Sequence, residues 1–378
     1  MGINTDLLHG YPVIDPYTGA SSIPKYQAST YHQSSFNDCK QEFTYTRFGN
    51  PTVHSLEEGI KQLENAEYAL AFSSGMAAIS NVLMLLKSRD HVIFPIEVYG
   101  GTCQFATEIL PSYDIETSFI DMSSVENITK AIRPNTKMIY IETPSNPLLK
   151  VSNIQAIVKL AAGNQIITVA DNTFMTALYQ KPLSLGVDIV VESATKFING
   201  HSDVVGGLIA TNNKSLYEKL HLFQKNFGAI LGVEDAWLIL RGMKTMGIRM
   251  EKSVSNAEAI AKFLFQHEKI TQVYYPSLDG CLHADIHLQQ ASNGGAVLSF
   301  ELKNQRILEN FIKKMKFPMY AVSLGGVESI ISHPATMSHA CLSEEERNLQ
   351  GVTDTLLRLS CGIEDLDDLL YDLDQALS

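Results

Sequence analysis

The chain has 378 residues, more than one hydrophobic core usually serves, so a large domain with a smaller one is expected. Its 29 basic and 41 acidic side chains give a formal charge of −12, with no cluster of Lys and Arg along the sequence. This balance argues against nucleic acid or an anionic membrane as a partner and favours a small diffusible ligand.

The sequence shows no pattern for export, lipid attachment or membrane insertion. The first residues, MGINTDLLHGYP, lack a basic and then apolar signal region, and Asp6 stands where a myristoylation signal has Ser or Thr. The apolar runs are far shorter than the roughly 20 residues that span a bilayer. The five cysteines are an odd number, widely scattered and without a C-x-x-C pair. These patterns predict a soluble protein of the reducing cytoplasm.

The chain divides into three regions by its hydrophobic pattern. Residues 1–50 are polar with little periodicity, which predicts an irregular arm that packs on something else. In residues 51–235, apolar runs alternate with helical patterns, which predicts a mostly parallel sheet between helices. In residues 236–378, a long helical stretch (236–267) precedes AVLSFEL and LLRLSCG, which predicts a smaller α+β domain. The strand candidates of the large domain are YALAFSS, HVIFPIEVY, KMIYIETP, IITVADNTF, DIVVESATKF and GGLIATN.

Polar residues follow several of these predicted strands. In an open α/β sheet, ligands bind outside the carboxyl ends of the strands, so these residues are expected to meet in one cleft. They are Ser73 to Gly75, Tyr99, Glu142 with Asn146 beyond it, Asp171 to Thr173, and Ser193 to Lys196.

The segment SSGMAAI begins an amphipathic helix. Free N–H groups at Gly75 and Met76, together with the helix dipole, would favour an anion such as phosphate. The alternative is an ordinary serine N-cap, with the glycine allowing close strand-to-helix packing. Neither G-x-G-x-x-G nor G-x-x-x-x-G-K-[ST] occurs, which disfavours a nicotinamide oxidoreductase or a nucleotide enzyme.

Asp171 and Lys196 end successive predicted strands and should therefore be neighbours. A carboxylate at the end of an apolar strand needs a cation such as a pyridinium nitrogen, or a metal, although Asp171 could instead form an Asx-turn. A lysine in a semi-apolar cleft has a lowered amine pKa and can form an imine with an aldehyde, whereas an ordinary strand-end lysine reaches solvent. Ser193 and Thr195 favour the first interpretation, because their hydroxyls could bind the same phosphate.

Three further sites carry polar groups in unexpected places. Tyr45 and Arg47 lie in the irregular arm, where the arginine could clamp phosphate or simply lie on the surface. Arg358 lies between leucines in a strand-like run, where it could bind a substrate carboxylate or, by strand alternation, point to water. The cluster CLHADIH (281–287) matches no tetrahedral zinc spacing, so no metal site is predicted.

Taken together, these motifs resemble the cysteine/methionine-metabolism family of pyridoxal-phosphate enzymes, which includes cystathionine β-lyases, γ-lyases and γ-synthases. The resemblance covers nearly the whole chain, and the pair DNTF and SATK is highly specific. It runs in family order through YTRFGNPT, SSGMAAI, VYGGT, ETPSNPLLKV, DNTF, SATKFINGHSDVVGG, LRGMKT, SLGGVESIISHPATMSH and LLRLSCGIED. It implies an aspartate aminotransferase-like fold of type I.

The resemblance also implies roles for individual residues. Lys196 would be the imine lysine, Asp171 would bind the pyridine nitrogen, and Tyr99 would stack on the ring and take part in proton transfer. Phosphate would be held by Gly75, Met76, Ser193 and Thr195, with Tyr45 and Arg47 reaching it from a neighbouring subunit. Asn146, Ser323 and Arg358 would bind or frame the substrate carboxylate and the lysine. Such enzymes are typically homotetramers built from active dimers.

Within the family, the sequence favours a cystathionine β-lyase acting on a sulfur amino acid. Many γ-lyases and γ-synthases carry Glu where this chain has Val322, and methionine γ-lyases typically have Cys where it has Gly101. A γ-synthase or γ-lyase is the alternative within the family. An inactive pyridoxal-phosphate-binding regulatory protein is the alternative of another class. One departure from the family pattern is Glu192, where relatives often have His.

Overall fold

A computed structural model of the chain describes residues 2–34, 36, 42–340 and 343–378. The described part contains two β-sheets, and the first has seven strands in the order β1-β7-β6-β5-β4-β2-β3. The strands of this sheet are β1 (Tyr68–Phe72), β2 (His91–Pro95), β3 (Glu116–Ile120), β4 (Thr136–Glu142), β5 (Ile167–Asp171), β6 (Ile189–Ser193) and β7 (Gly207–Thr211).

The first sheet is the mostly parallel sheet that the sequence predicts. β7 runs antiparallel to β1 and β6, and every other pairing in the sheet is parallel. All six strand candidates are strands. β3 was not among them, because ETSFI is a partly exposed edge strand rather than a continuous apolar run.

Five of the helices in the described residues begin at a side chain that caps the helix. The side chains of Asn50, Ser74, Asn153, Asn213 and Asn304 each accept a backbone N–H of the following helix. The helices are α1 (Ile3–His9), α2 (Pro51–Glu64), α3 (Gly75–Leu83), α4 (Gly100–Gln104), α5 (Val125–Ala131), α6 (Ile154–Ala162), α7 (Thr176–Tyr179), α8 (Lys214–Phe227), α9 (Val233–Met243), α10 (Met246–Phe265), α11 (Ala284–Gln290), α12 (Gln305–Lys314), α13 (Glu344–Gln350) and α14 (Leu366–Leu377).

The second sheet has five strands in the order β10-β11-β12-β9-β8, antiparallel except for β10 beside β11. AVLSFEL and LLRLSCG form its neighbouring strands β9 and β12. Helices α10, α12 and α14 cover it around Phe300 and Phe311, which confirms the α+β character of this region. The division of the chain near residues 50 and 235 stays a prediction. The strands are β8 (Ile270–Tyr274), β9 (Val297–Leu302), β10 (Met319–Tyr320), β11 (Ile330–Ser332) and β12 (Leu356–Ser360).

Two local features differ from the sequence-based expectation. The N-terminal arm contains α1, which buries Leu7 against the rest of the chain and is too short for its periodicity to be recognised. The long helical stretch is divided into α9 and α10 at Lys244 and Thr245. No helix in the described part of the chain has both the length and the apolar character needed to cross a bilayer. Cys103, Cys281 and Cys361 form no disulfide, and Cys39 and Cys341 lie outside the described residues.

The division between α9 and α10 lets one buried arginine fix the segment that follows Lys196. Arg249 of α10 donates to the carbonyl oxygens of Phe197 (3.0 Å) and Ile198 (3.2 Å). It also donates to the carbonyl oxygen of Gly242 at the end of α9 (2.9 Å). Phe197 and Ile198 lie outside the helices and strands, and Arg249 supplies donors to their buried carbonyl groups, so it ties the lysine segment to the second half of the chain.

Replacing Arg249 by Met should lower the free energy of unfolding by about 3 kcal/mol or more, because buried carbonyl groups lose their donors. Urea unfolding followed by circular dichroism measures the change. The matched control is Arg241→Met on the exposed side of α9, which should change stability by less than about 0.5 kcal/mol. Equal losses in the two variants would contradict the assigned role.

Candidate active site

A cavity of about 560 Å³ lies at the carboxyl ends of β4, β5 and β6, which is a usual size for a small-molecule site. Segments associated with both sheets line it, so the strand ends converge as the sequence predicts. The predicted site residues that line it are Gly75, Met76, Tyr99, Asn146, Asp171, Ser193, Thr195, Lys196, Ser323 and Arg358.

Lys196 extends its amine into this cavity. Its Nζ donates to the Ser323 hydroxyl at 2.6 Å, and no carboxylate forms an ion pair with it among the described residues. Burial, and secondly the positive charge of Arg358, lower the pKa of the amine to about 8. The unprotonated, nucleophilic form of the amine is therefore much more abundant near neutral pH than in an ordinary lysine, although the ammonium is still the major form.

Ser323 is held in a conformation that few residues other than glycine adopt. Its φ is 90°, in the left-handed region, and its carbonyl oxygen accepts the Arg358 guanidinium at 2.8 Å. Backbone strain of this kind is concentrated at functional sites, where the surrounding structure maintains it. Ser323 thus links the lysine to the arginine through its side chain and its backbone.

Asp171 ends β5 and is fixed by neutral donors alone. Its carboxylate accepts from the Thr173 hydroxyl (2.6 Å), the Thr173 N–H (3.1 Å) and the Tyr140 hydroxyl (3.2 Å). Burial raises the pKa of this carboxyl, and the bonds from Thr173 and Tyr140 partly oppose the shift. The Thr173 bonds form the Asx-turn of the second interpretation, while Asp171 also lines the cavity without a cation from the described residues, so its binding of a pyridinium nitrogen stays a prediction.

Glu142 supports two other site residues at the end of β4. Its carboxylate accepts the backbone N–H of Tyr99 at 2.9 Å and that of Asn146 at 3.1 Å. Burial and the adjacent Asp171 raise the pKa of Glu142 well above its ordinary value. This carboxyl therefore ties the backbone at Tyr99 to the backbone at Asn146.

Arg358 is the deepest charged group of the cavity and is only 4 % exposed. Its Nη1 donates to Asn146 Oδ1 at 2.7 Å, while its buried Nε has no hydrogen-bond partner. The sequence alternative that Arg358 points to water is therefore wrong, because this strand is central in its sheet and its side chain faces the cavity. An unsatisfied guanidinium donor in a cavity is suited to bind a carboxylate.

The start of α3 lies on another side of the cavity. The Ser74 hydroxyl accepts the Ala77 N–H at 2.9 Å and so acts as an N-cap, while the first-turn N–H groups of Gly75 and Met76 have no intrahelical acceptors. Ser193 lies against Gly75, because a Cβ added to Gly75 would lie 3.2 Å from Oγ of Ser193. The Thr195 hydroxyl accepts the Gly206 N–H at 3.0 Å. This arrangement accommodates a phosphate group.

Tyr45 and Arg47 do not reach the cavity of their own chain. Tyr45 is 41 % exposed, and Arg47 donates to the carbonyl oxygen of Lys225 at 2.6 Å. Their assignment to a neighbouring subunit stays a prediction. The segment 281–287 also lies elsewhere, where a ring nitrogen of His287 bonds to the carbonyl oxygen of Asn293 at 2.7 Å. No group of three His, Cys, Asp or Glu side chains in the described ranges could hold a metal ion.

Three supporting residues have no role assigned from the sequence. The sequence identifies Glu142 and Thr173 only as polar residues at strand ends, and it does not distinguish Tyr140 from an ordinary strand residue. A signal existed for Tyr140, since it lies two residues before Glu142 and therefore on the same face of β4.

The groups of the cavity fit pyridoxal phosphate. A carboxylate without a cation suits the pyridinium nitrogen, a helix start with nearby hydroxyls suits the phosphate, and an amine of lowered pKa suits the aldehyde. Each of these features follows from the contacts described above.

Comparison with known proteins gives the same result. The family model described as "Cys/Met metabolism PLP-dependent enzyme" matches residues 4–378. The chain is 49 % identical to cystathionine beta-lyase MetC of Bacillus subtilis, over 99 % of this chain and 96 % of that protein. It is 46 % identical to cystathionine gamma-lyase of the same organism, over 99 % and 98 %.

A solved structure of a similar protein agrees in fold. The cystathionine gamma-lyase of Lactobacillus plantarum, complexed with L-serine, superposes with a TM-score of 0.96 at 40 % identity, covering 100 % of this chain and 98 % of that one. The likeness therefore extends over both sheets. The chain belongs to the pyridoxal-phosphate-dependent enzyme family of cysteine and methionine metabolism.

Proposed function

We propose that the protein is a carbon–sulfur lyase that converts cystathionine and water to homocysteine, pyruvate and ammonia. The observation that carries the proposal is the Lys196 amine of lowered pKa, which lines one cavity with Asp171 and Arg358. The Asp171 carboxylate has no cationic partner among the described residues, and Nε of Arg358 has no hydrogen-bond partner there. These are the groups required to labilise the Cα proton of an amino acid whose carboxylate is held in place.

Pyridoxal phosphate, when bound, supplies a carbonyl group for covalent attachment of an amine and an electron-withdrawing ring. Asp171 would hold the ring nitrogen, while Gly75, Met76, Ser193 and Thr195 would hold the phosphate. Tyr99, whose backbone is fixed by Glu142, would cover one face of the ring. Burial and the charges of Glu142 and Asp171 raise the pKa of its phenol, so it is suited to donate a proton rather than to be ionised.

Lys196 would serve as the acid–base group at the substrate. The unprotonated amine takes the Cα proton, and the resulting ammonium returns a proton at the leaving sulfur or to the carbon skeleton. The 2.6 Å bond to Ser323 keeps Nζ in place when it is not covalently engaged. Arg358 and Asn146 would bind the substrate carboxylate and so orient the Cα–H bond toward the amine.

The choice of β-elimination depends on one side of the cavity and on the relatives. Val322 lines the cavity with a side chain that is 64 % exposed, where many γ-lyases and γ-synthases carry Glu. The β-lyase of B. subtilis shares more identity with this chain than the γ-lyase of that organism does, 49 % against 46 %. Cystathionine γ-lyase activity is the second candidate, because the solved γ-lyase has the same fold along the whole chain.

We further propose that the enzyme is a cytoplasmic homotetramer of active dimers. Tyr45, Arg47 and the neighbouring Phe48 form a partly exposed cationic and aromatic surface outside their own cavity. Contact of this surface with the phosphate end of a second chain's cavity would explain both its composition and its position. The cytoplasm is supported by the wide spacing of the cysteines in the sequence.

Incubation of the purified protein with cystathionine should give pyruvate and homocysteine in equal amounts, measured by chromatography of the products. A preponderance of 2-oxobutyrate and cysteine would instead assign γ-lyase activity. Replacing Lys196 by Ala should abolish turnover, since the variant lacks the base, and appreciable residual activity in that variant would contradict the proposed mechanism.

The rate at which the cofactor-free protein recombines with pyridoxal phosphate should rise with pH through about 8, because only the neutral Lys196 amine is nucleophilic. Arg358→Gln removes a positive charge that disfavours the ammonium, so the midpoint should move up by about one pH unit. Stopped-flow absorbance provides the measurement. Arg241→Gln is the control and should leave the midpoint unchanged, and an unchanged midpoint in Arg358→Gln would contradict the assigned electrostatic effect.

Co-expression of Arg47→Ala and Lys196→Ala chains should restore lyase activity that neither variant has alone. In a mixed dimer, one of the two sites receives an intact lysine from one chain and an intact arginine from the other. The activity of purified mixed oligomers, prepared with two different affinity tags, checks this outcome. Mixed oligomers no more active than their parents would show that Arg47 serves no neighbouring site.

A further inference from the structure

Two glutamates that the proposed mechanism does not use are buried together behind the cavity. Glu64 is the last residue of α2 and is 0 % exposed, and Glu192 precedes Ser193 on β6 and is 2 % exposed. None of their four carboxyl oxygens has a hydrogen-bond partner within the described residues. Burying both groups as carboxylates would cost free energy, because no aligned hydrogen-bond donor among the described residues replaces the water that each carboxylate loses.

The surroundings do not neutralise two charges. Glu64 and Glu192 face each other, with Lys181 as the cation that acts on Glu64 and Asp171 as an additional negative charge acting on Glu192. The Asn172 amide lies near Glu64, but it donates to the carbonyl oxygen of Gln180 at 2.8 Å. The Ala177 N–H lies near Glu192 without an aligned hydrogen bond.

The dipole of helix α2 also disfavours a negative charge on Glu64. Glu64 ends a helix of 14 residues, where the helix dipole is negative and disfavours a carboxylate. Burial raises the pKa of both carboxyls, and the negative charges of Glu64 and Asp171 raise that of Glu192 further. Two facing carboxyls satisfy each other when one of them is protonated, since it then donates to its neighbour.

We propose that Glu64 and Glu192 share a single proton, so that the pair carries one negative charge instead of two in the neighbourhood of Asp171. A second negative charge on the pair would favour protonation of Asp171, whose strand β5 lies directly beside β6. The shared proton removes that charge. The sharing itself is independent of the proposed reaction, whereas the benefit to Asp171 rests on the proposed function.

The test compares the thermal unfolding of the holoenzyme between pH 6 and pH 9 for the unmodified protein, Glu192→Gln, Glu64→Gln and the exposed control Glu67→Gln. The raised folded-state pKa means that the stability contributed by the shared proton is full at low pH and is lost as the pH rises. A glutamine donates an amide N–H without needing that proton. The unfolding midpoints of Glu192→Gln and Glu64→Gln should therefore fall less with pH, with a gain over the unmodified protein of about 2 °C or more at pH 9.

The control Glu67→Gln should run parallel to the unmodified protein. Curves for Glu192→Gln that are also parallel to it would overturn the shared proton. Replacing sodium and potassium by tetramethylammonium should leave the midpoints unchanged. A loss of stability in that medium, restricted to the unmodified protein, would overturn the proposal in favour of a bound cation.

The effect of the pair's charge on Asp171 is measured by the visible absorption of the holoenzyme as a function of pH. Each single variant keeps one charge in the pair and should keep the absorption midpoint, whereas the double variant Glu64→Gln/Glu192→Gln has none and should shift it to lower pH. An unshifted midpoint in the double variant would overturn the link to Asp171. This result is distinguishable from failure of the proposed function, which is judged by the products formed from cystathionine.

Discussion

The close approach of two chain segments at Lys196 is the constraint on which the site depends. The lysine follows a strand of the first sheet, and Ser323 to Gly325 belong to the region of the second. Gly325 has a φ of 83°, and a Cβ there would lie 2.6 Å from the Phe197 nitrogen and 3.0 Å from the Lys196 Cα. Only glycine accommodates both its conformation and this contact. The amine is buried, and its pKa lowered, because the second segment covers it.

The charged side chains of the cavity are held in place by hydrogen bonds to neutral groups more than by ion pairs. Asp171 is held by hydroxyls and one N–H, Glu142 by two N–H groups, and Arg358 donates to the carbonyl oxygens of the Asn146 amide and of Ser323. Neutral partners fix a charged group in position without cancelling its field. The charges thus remain available to a cofactor and a substrate that bring complementary groups.

Much of this arrangement can be predicted from local patterns in the sequence. Continuous apolar runs identify buried parallel strands, and the residues that end them must share an edge of the sheet, which places Asp171, Lys196 and Asn146 together. The edge strand β3 and the short helix α1 lack such a pattern. The facing of Glu64 and Glu192 depends on how α2 packs on the first sheet, where it contacts β1 and β7, and the proposed role of Arg47 depends on a second chain. Neither relation is encoded in spacing along the sequence.

The carboxyl of Glu142 accepts the backbone N–H groups of both Tyr99 and Asn146. The segments that carry the ring of Tyr99 and the amide of Asn146 are therefore held by the same side chain, and displacing one segment is expected to disturb the other. An attempt to enlarge the pocket for bulkier amino acids by altering the end of β4 would loosen both at once. Engineering of substrate scope is better directed to Val322, which lines the cavity with a largely exposed side chain.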